Sequence, residues 1–179
     1  MRIVIIVFLI LFLPIHACAG NETVELAAAN RAYDSNDFKA AMTLARKVAE
    51  GGNVEAKNFV GHMYYTGKGV IQDYIVAEKW WRKAAEQGYP KSQRNLGMLY
   101  NHRTDGKQNA IEAVKWYRKS AEQGYPQGQF DLGAMYSSGS GGLPKDINEA
   151  EILWIKAAEQ GDARAKDALR NMYEREGTR

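Results

Sequence analysis

The amino-acid sequence predicts an all-α fold: a right-handed α-solenoid of about four helical hairpins, closed by a C-terminal capping helix. Three observations carry that reading. Ala84-Ala85-Glu86-Gln87-Gly88 returns as Ser120-Ala121-Glu122-Gln123-Gly124 and as Ala157-Ala158-Glu159-Gln160-Gly161, at steps of 36 and 37 residues, with a degenerate copy at Val48-Ala49-Glu50-Gly51-Gly52 a further 36 upstream. A second phrase keeps the register: Val60-Gly61-x-x-Tyr64, Leu96-Gly97-x-x-Tyr100, Leu132-Gly133-x-x-Tyr136 and a terminal Leu169-Arg170-x-x-Tyr173 without its glycine. A third joins them, in Tyr74-x-x-Ala77-x-x-Trp80-Trp81, Ala110-x-x-Ala113-x-x-Trp116-Tyr117 and Ile147-x-x-Ala150-x-x-Leu153-Trp154. One phrase at one period marks stacked supersecondary units, and apolar steps of three and four residues mark amphipathic helices. Each unit is therefore a pair of helices.

The elements follow in order. Met1-Arg2, the apolar run Ile3 to Leu13 and the small residues Ala17-Cys18-Ala19-Gly20 read as a secretory signal over residues 1–19. The run is too short to cross a hydrocarbon core, which takes about 20 residues. Two cleavage outcomes fit. A cut before Gly20 follows the A-x-A rule and gives a free periplasmic or secreted protein. A cut before Cys18 follows a lipobox-like Ile15-His16-Ala17-Cys18 and gives a lipidated Cys18, anchored to a membrane and open to outer-membrane sorting. Residues 20–52 are read as an N-terminal capping hairpin, its helices starting near Val24, with Tyr33 matching Tyr64. Residues 53–88, 89–124 and 125–161 are repeats one to three. Residues 162–179 are a capping helix, Ala163 to Tyr173, whose Arg164, Lys166, Asp167 and Arg170 make a polar outer side, followed by a frayed tail.

Punctuation supports these limits. Asp73, Asn109 and Asp146 stand where second helices should start and accept bonds from their free N–H groups. Gly88, Gly124 and Gly161 stand where they should end. Gly61, Gly97 and Gly133 stand inside first helices, where each costs about 1 kcal/mol relative to alanine. Their repetition predicts close helix–helix approach at that position.

These phrases, with the Gly67-Lys68-Gly69-Val70 loop, resemble the Sel-1-like repeat family, relatives of tetratricopeptide repeats, over Asn53 to Tyr173. Repeat two departs at His102-Arg103-Thr104-Asp105-Gly106, and repeat three adds a residue at Ser138-Gly139-Ser140-Gly141-Gly142. The resemblance implies a protein–protein scaffold or adaptor of the bacterial cell envelope. It also leaves two alternatives, an immunity protein against a periplasm-acting toxin and, more remotely, a β-lactam-binding or hydrolysing enzyme. Disulfide-closed repeats mark the relatives linked to β-lactams, and Cys18 is the single cysteine here.

Chemistry is sparse in the residues themselves. Lys and Arg number 24 against 21 Asp and Glu, and loss of Arg2 with the signal leaves the chain nearer neutral still, which speaks against nucleic acid as a partner. No cofactor or metal is expected: His62 and His102 lie on neighbouring first helices without H-x-x-x-H or C-x-x-C spacing. Lys79, Lys83, Lys115 and Lys119 read as the solvated face of second helices. Trp80, Trp81, Trp116, Tyr117 and Trp154 read as core rings wedging consecutive hairpins. First helices should line the concave side. Counting from the repeat glycines places Asn58, His62 and Tyr65, then Arg94, Met98 and Asn101, then Phe130, Ala134 and Ser137 on that groove. Such a mixture suits a peptide or protein segment held by a monomer.

Overall fold

Capping side chains and left-handed glycines mark many of the helix limits and divide the chain. The computed structural model describes the backbone of residues 15–102 and 107–177 and the side chains of 24–102 and 109–175. The apolar part of the expected export signal, residues 1–13, the side chain of Cys18, and loop residues 103–106 of repeat two lie outside the described residues. Among the described residues there are nine helices and no strand: α1 (Ile15–Asp34), α2 (Phe38–Glu50), α3 (Val54–Thr66), α4 (Tyr74–Ala85), α5 (Pro90–His102), α6 (Lys107–Glu122), α7 (Pro126–Ser138), α8 (Ile147–Glu159) and α9 (Ala163–Gly177). They pack as four successive hairpins, α1/α2 to α7/α8, with α9 against α8. The α-solenoid anticipated from the repeats is the observed architecture.

Asp37, Asn53, Asp73 and Asp146 cap the second or first helices they precede, each accepting from main-chain N–H groups two or three residues on, which satisfies donors that a helix leaves free. Gly88, Gly124 and Gly161 adopt φ of 88°, 78° and 94°, a left-handed turn that a β-carbon would strain. Three limits differ from the sequence reading. Asn109 lies within the first turn of α6, which begins at Lys107, and so is not its cap. Helix α1 is already formed at Ile15, ahead of Val24, with no proline or glycine pair between them to break it. Helix α9 runs through the expected tail to Gly177, the first residue there that disfavours helix.

Inside each of the last three hairpins an aromatic ring lies on the first helix's glycine. A β-carbon on Gly61 would fall 2.5 Å from Trp81 Cδ1, one on Gly97 2.5 Å from Tyr117 Cδ1, and one on Gly133 2.7 Å from Trp154 Nε1. The two tryptophans also donate through Nε1 to the main-chain oxygen one turn before the glycine, Trp81 to Asn58 at 3.1 Å and Trp154 to Phe130 at 3.2 Å. The close approach expected at these glycines is thus ring on backbone within one hairpin. Trp81 and Tyr117 also belong to a core cluster that includes Leu96, Leu99, Leu132 and Met135 of the hairpins that follow, and Trp154 to one that includes Ala165 of α9, as expected for rings between consecutive units. Trp116 stands where Arg82 of the preceding hairpin reaches its ring, 5.9 Å from the centroid.

Polar ties then join hairpin to hairpin. Tyr100 donates to Glu78 of α4 at 2.6 Å and accepts from Arg82, and Tyr173 repeats the contact with Glu151 of α8 at 2.7 Å. Gln93 donates to the Ala85 oxygen at the end of α4 and accepts from Gln123 of its own hairpin at 2.6 Å. Gln160 donates likewise to Gln129 at 2.9 Å. The glutamines of the second and third A-A-E-Q-G phrases, Gln123 and Gln160, are exposed, and each donates to a buried glutamine on the first helix of its own hairpin, Gln93 or Gln129. In the first unit Lys57 stands where Gln93 and Gln129 do, cannot accept, and bonds the Gly52 oxygen instead, at 2.7 Å.

The ring-on-glycine contact has a measurable signature. Gly97→Ala should lose about 2 kcal/mol through overpacking, whereas in a Tyr117→Ala background it should cost less than about 0.5 kcal/mol, since alanine is the better helix former. Urea unfolding of the four proteins measures both costs. An equal cost in both backgrounds would show that Tyr117 is not what Gly97 accommodates.

Candidate functional site

The first helices α1, α3 and α5 stand side by side, and between them runs a cleft of about 470 Å³. Asn30 and Tyr33 of α1, Asn58, Phe59, His62 and Tyr65 of α3, and Lys91, Arg94, Asn95 and Met98 of α5 line it, together with the buried Trp81 of α4. Five of the groove residues counted from the repeat glycines, Asn58, His62, Tyr65, Arg94 and Met98, share this one cleft. The others lie apart. Asn101 is exposed in the last turn of α5. Phe130 carries the Arg164 guanidinium 4.3 Å above its ring. Ala134 is half-buried farther along α7, and Ser137 lines a separate hollow with Trp154 and Met172.

Helical counting from the glycines missed Tyr33, Lys91 and Asn95. Tyr33 could have been found from its match to Tyr64. Asn95 sits one turn after Lys91, a step that counting from Gly97 alone passes over.

Asn58 organises the middle of the cleft. Its Oδ1 accepts from Ser92 Oγ at 2.9 Å and from Asn95 Nδ2 at 3.0 Å, while its main-chain oxygen holds the Trp81 indole. With those groups committed, Asn58 has its Nδ2 donor left to offer, and Asn95 its Oδ1 acceptor. The walls are aromatic: Tyr33 packs edge-on against Phe38 and Phe59 at 5.2 and 5.3 Å, and Tyr65 lies 5.3 Å from Trp81 and 5.4 Å from Tyr74.

Beyond the cleft the concave side is closed by ions. Arg94 Nε binds Asp131 Oδ2 at 2.6 Å, Arg164 reaches the other oxygen of Asp131 at 3.5 Å, and Arg164 pairs with Asp162 at 2.8 Å. Burial pushes the Asp131 carboxyl above its ordinary range, against the pull of both arginines. Burial also acts to raise Asp162, but Arg164 and the main-chain N–H groups of Ala165 and Arg164 outweigh it and hold that carboxyl below the ordinary range. These two arginines and two aspartates tie α5, α7 and α9 into one register.

The opposite face differs in character. Lys79, Lys83, Lys115 and Lys119 are exposed on α4 and α6, with Lys83 lying 4.7 Å over the Trp80 ring and Lys119 4.4 Å over Trp116. A hollow of about 520 Å³ there has mixed charge, from Glu50, Lys57, Lys83 and Glu86. In the third repeat α8 exposes the apolar Ile152 and Ile155 beside Asn148, Lys156 and Glu159. Among the described residues no three His, Cys, Asp or Glu side chains are grouped as metal ligands, and no helix there is long and apolar enough to cross a membrane.

Comparison with known proteins bears on this arrangement. The family model for the Sel1 repeat matches residues 54–89, 90–125 and 126–162. A protective antigen with an SLR fold from uropathogenic Escherichia coli strains is 37% identical, with a TM-score of 0.78, the match covering 89% of this chain and 35% of that one. A Sel1 repeat protein from Oxalobacter formigenes is 32% identical, with a TM-score of 0.77, covering 88% of this chain and 66% of that one. A Pseudomonas aeruginosa protein at 22% identity and a TM-score of 0.66, covering 86% and 59%, shares the fold. The chain thus spans about a third of the E. coli protein and just under two thirds of the O. formigenes protein. No curated protein matches it closely enough to be counted a relative.

His62 gives the cleft a pH signature. Lys68 donates to the Tyr33 oxygen at 2.9 Å, and the Tyr33 hydroxyl is hydrogen-bonded to His62 Nε2 at 3.3 Å. Burial, then the charges of Lys68 and Lys91, hold the imidazole below its ordinary pKa. The unfolded chain therefore takes up the proton first, and stability falls as pH drops below about 6.5, by at most about 1.4 kcal/mol per unit. The urea midpoint should fall between about pH 7 and pH 5.5, and His62→Gln should flatten that slope. An unchanged slope in the variant would remove His62 as its source.

Proposed function

The chain belongs to the Sel1 repeat family, whose fold is a protein–protein interaction scaffold, and on that premise we propose a non-catalytic adaptor of the bacterial cell envelope that holds an extended segment of a protein partner in the α1–α3–α5 cleft. The observation that carries this reading is the Asn58–Asn95 pair. One free amide donor and one free acceptor, held by Ser92 and by each other, match the donor and acceptor of a peptide unit. Aromatic walls on either side offer apolar contact to its side chains. Such a groove reads main chain for affinity and neighbouring side chains for choice of partner.

The envelope placement is supported by the signal-like residues 1–19. It is also in keeping with the E. coli relative, which is described as a protective antigen. The intact mass of the protein recovered from its native envelope separates the two processed forms: a chain starting at Gly20 is a free binder, and one starting at an acylated Cys18 works at a membrane surface. A mass that still includes Met1 would contradict export.

Affinity capture tests the binding reading. Envelope fractions passed over the mature protein should yield a partner that is lost with His62→Trp, which fills the cleft, and kept with Ile155→Lys on the opposite face. Thermal melts confirm that both variants fold. A partner kept by His62→Trp and lost by Ile155→Lys would place binding on the second helices.

A further inference from the structure

The cleft has a charge bias that its amides and rings do not explain. No Asp or Glu is among its lining residues. Arg94 spends its charge on Asp131, but Lys91, exposed in the first turn of α5, and Lys68, just past the end of α3, have no carboxylate within ion-pair distance among the described residues. Lys68 is held in place by Tyr33, through the bond to its oxygen and at 4.6 Å over its ring, and by the Phe38 ring at 5.0 Å. Aromatic rings fix an ammonium in place without supplying a counter-ion.

The two lysines also stand at different points. Lys91 lines the cleft at the N-terminal end of α5, and Lys68, bonded to the lining residue Tyr33, borders it just past the C-terminal end of α3, so a ligand in the cleft meets positive charge at two places. His62, between them, feels both. On the opposite face Lys115 pairs with Glu112 at 2.6 Å and Lys83 shares a hollow with Glu50 and Glu86; Lys119, over the Trp116 ring, has no ion pair among the described residues either, but it borders no cleft free of carboxylates.

We propose that the segment held in the cleft is acidic, an extended stretch of protein chain whose Asp or Glu side chains lie between Lys68 and Lys91. This rests on the reading of the cleft as a peptide groove. Side-chain carboxylates are favoured over a chain terminus because one terminal carboxylate meets one lysine, and the two here stand at the ends of different helices. Complementary charge in a half-buried groove sets orientation and partner choice more than bulk affinity, and it excludes basic segments by repulsion.

A random peptide library tests this, with each member about twelve residues long, enough to cross three helices, and amidated at its C-terminus so that only side chains carry carboxylates. Immobilised mature protein should enrich peptides rich in Asp and Glu. Their affinity should weaken with added salt and fall about tenfold or more in Lys68→Glu/Lys91→Glu, with the single Lys91→Glu variant, at an exposed position, losing part of it. Peptides enriched without an acidic excess, yet displaced by His62→Trp, would overturn the charge proposal and leave the groove reading standing. No enrichment, or enrichment indifferent to His62→Trp, would overturn both.

Discussion

An aromatic ring resting on a bare glycine sets the distance between the two helices of each repeat, and the rest of the structure depends on that distance. At Gly61, Gly97 and Gly133 the ring lies where a β-carbon would be. A glycine inside a helix is costly on its own, and here the cost is offset by the burial of a large flat side chain. The constraint also reaches the concave surface. Trp81, held on Gly61, bonds the Asn58 oxygen, and Asn58 in turn fixes Ser92 and Asn95 of the next hairpin. The packing that closes one hairpin therefore also places the polar groups of the cleft.

Stacking the hairpins uses a different chemistry. Apolar clusters run from α1 to α9, but apolar contact alone is indifferent to small slips. Register is fixed by directional polar contacts between units: Gln93 on the Ala85 oxygen, the Tyr100 and Tyr173 ties, and the Arg94–Asp131–Arg164 chain. Where the repeat breaks pattern, the chemistry changes with it. Lys57 in place of a glutamine opens a charged hollow beside Trp80, and Ile152 and Ile155 leave apolar residues exposed on α8.

Much of this fold was legible in the sequence, because repetition exposes the positions that matter: Asp73 and Asp146 cap, Gly88, Gly124 and Gly161 turn, and the phrases keep one period. The cost of Gly97 was visible, but not what it accommodates, since Tyr117 lies twenty residues away and nothing local links them. The cleft was legible in part. Counting along a helix locates Asn58, His62 and Tyr65 on one face, yet it cannot reveal that Arg164 from α9 covers Phe130, or that Asp131 takes up the charge of Arg94. Those are contacts between distant segments. Asn109 misled because a good capping residue within the first turn of a helix looks, in sequence, like one at its start.

The central claim is that this scaffold holds its partner on the first helices. A photo-reactive amino acid placed at Met98 in the cleft, and separately at Ile152 on the opposite face, tests it in the native envelope. A discrete cross-linked species from position 98, with none from 152, is the expected result; a species from 152 and none from 98 would contradict the account.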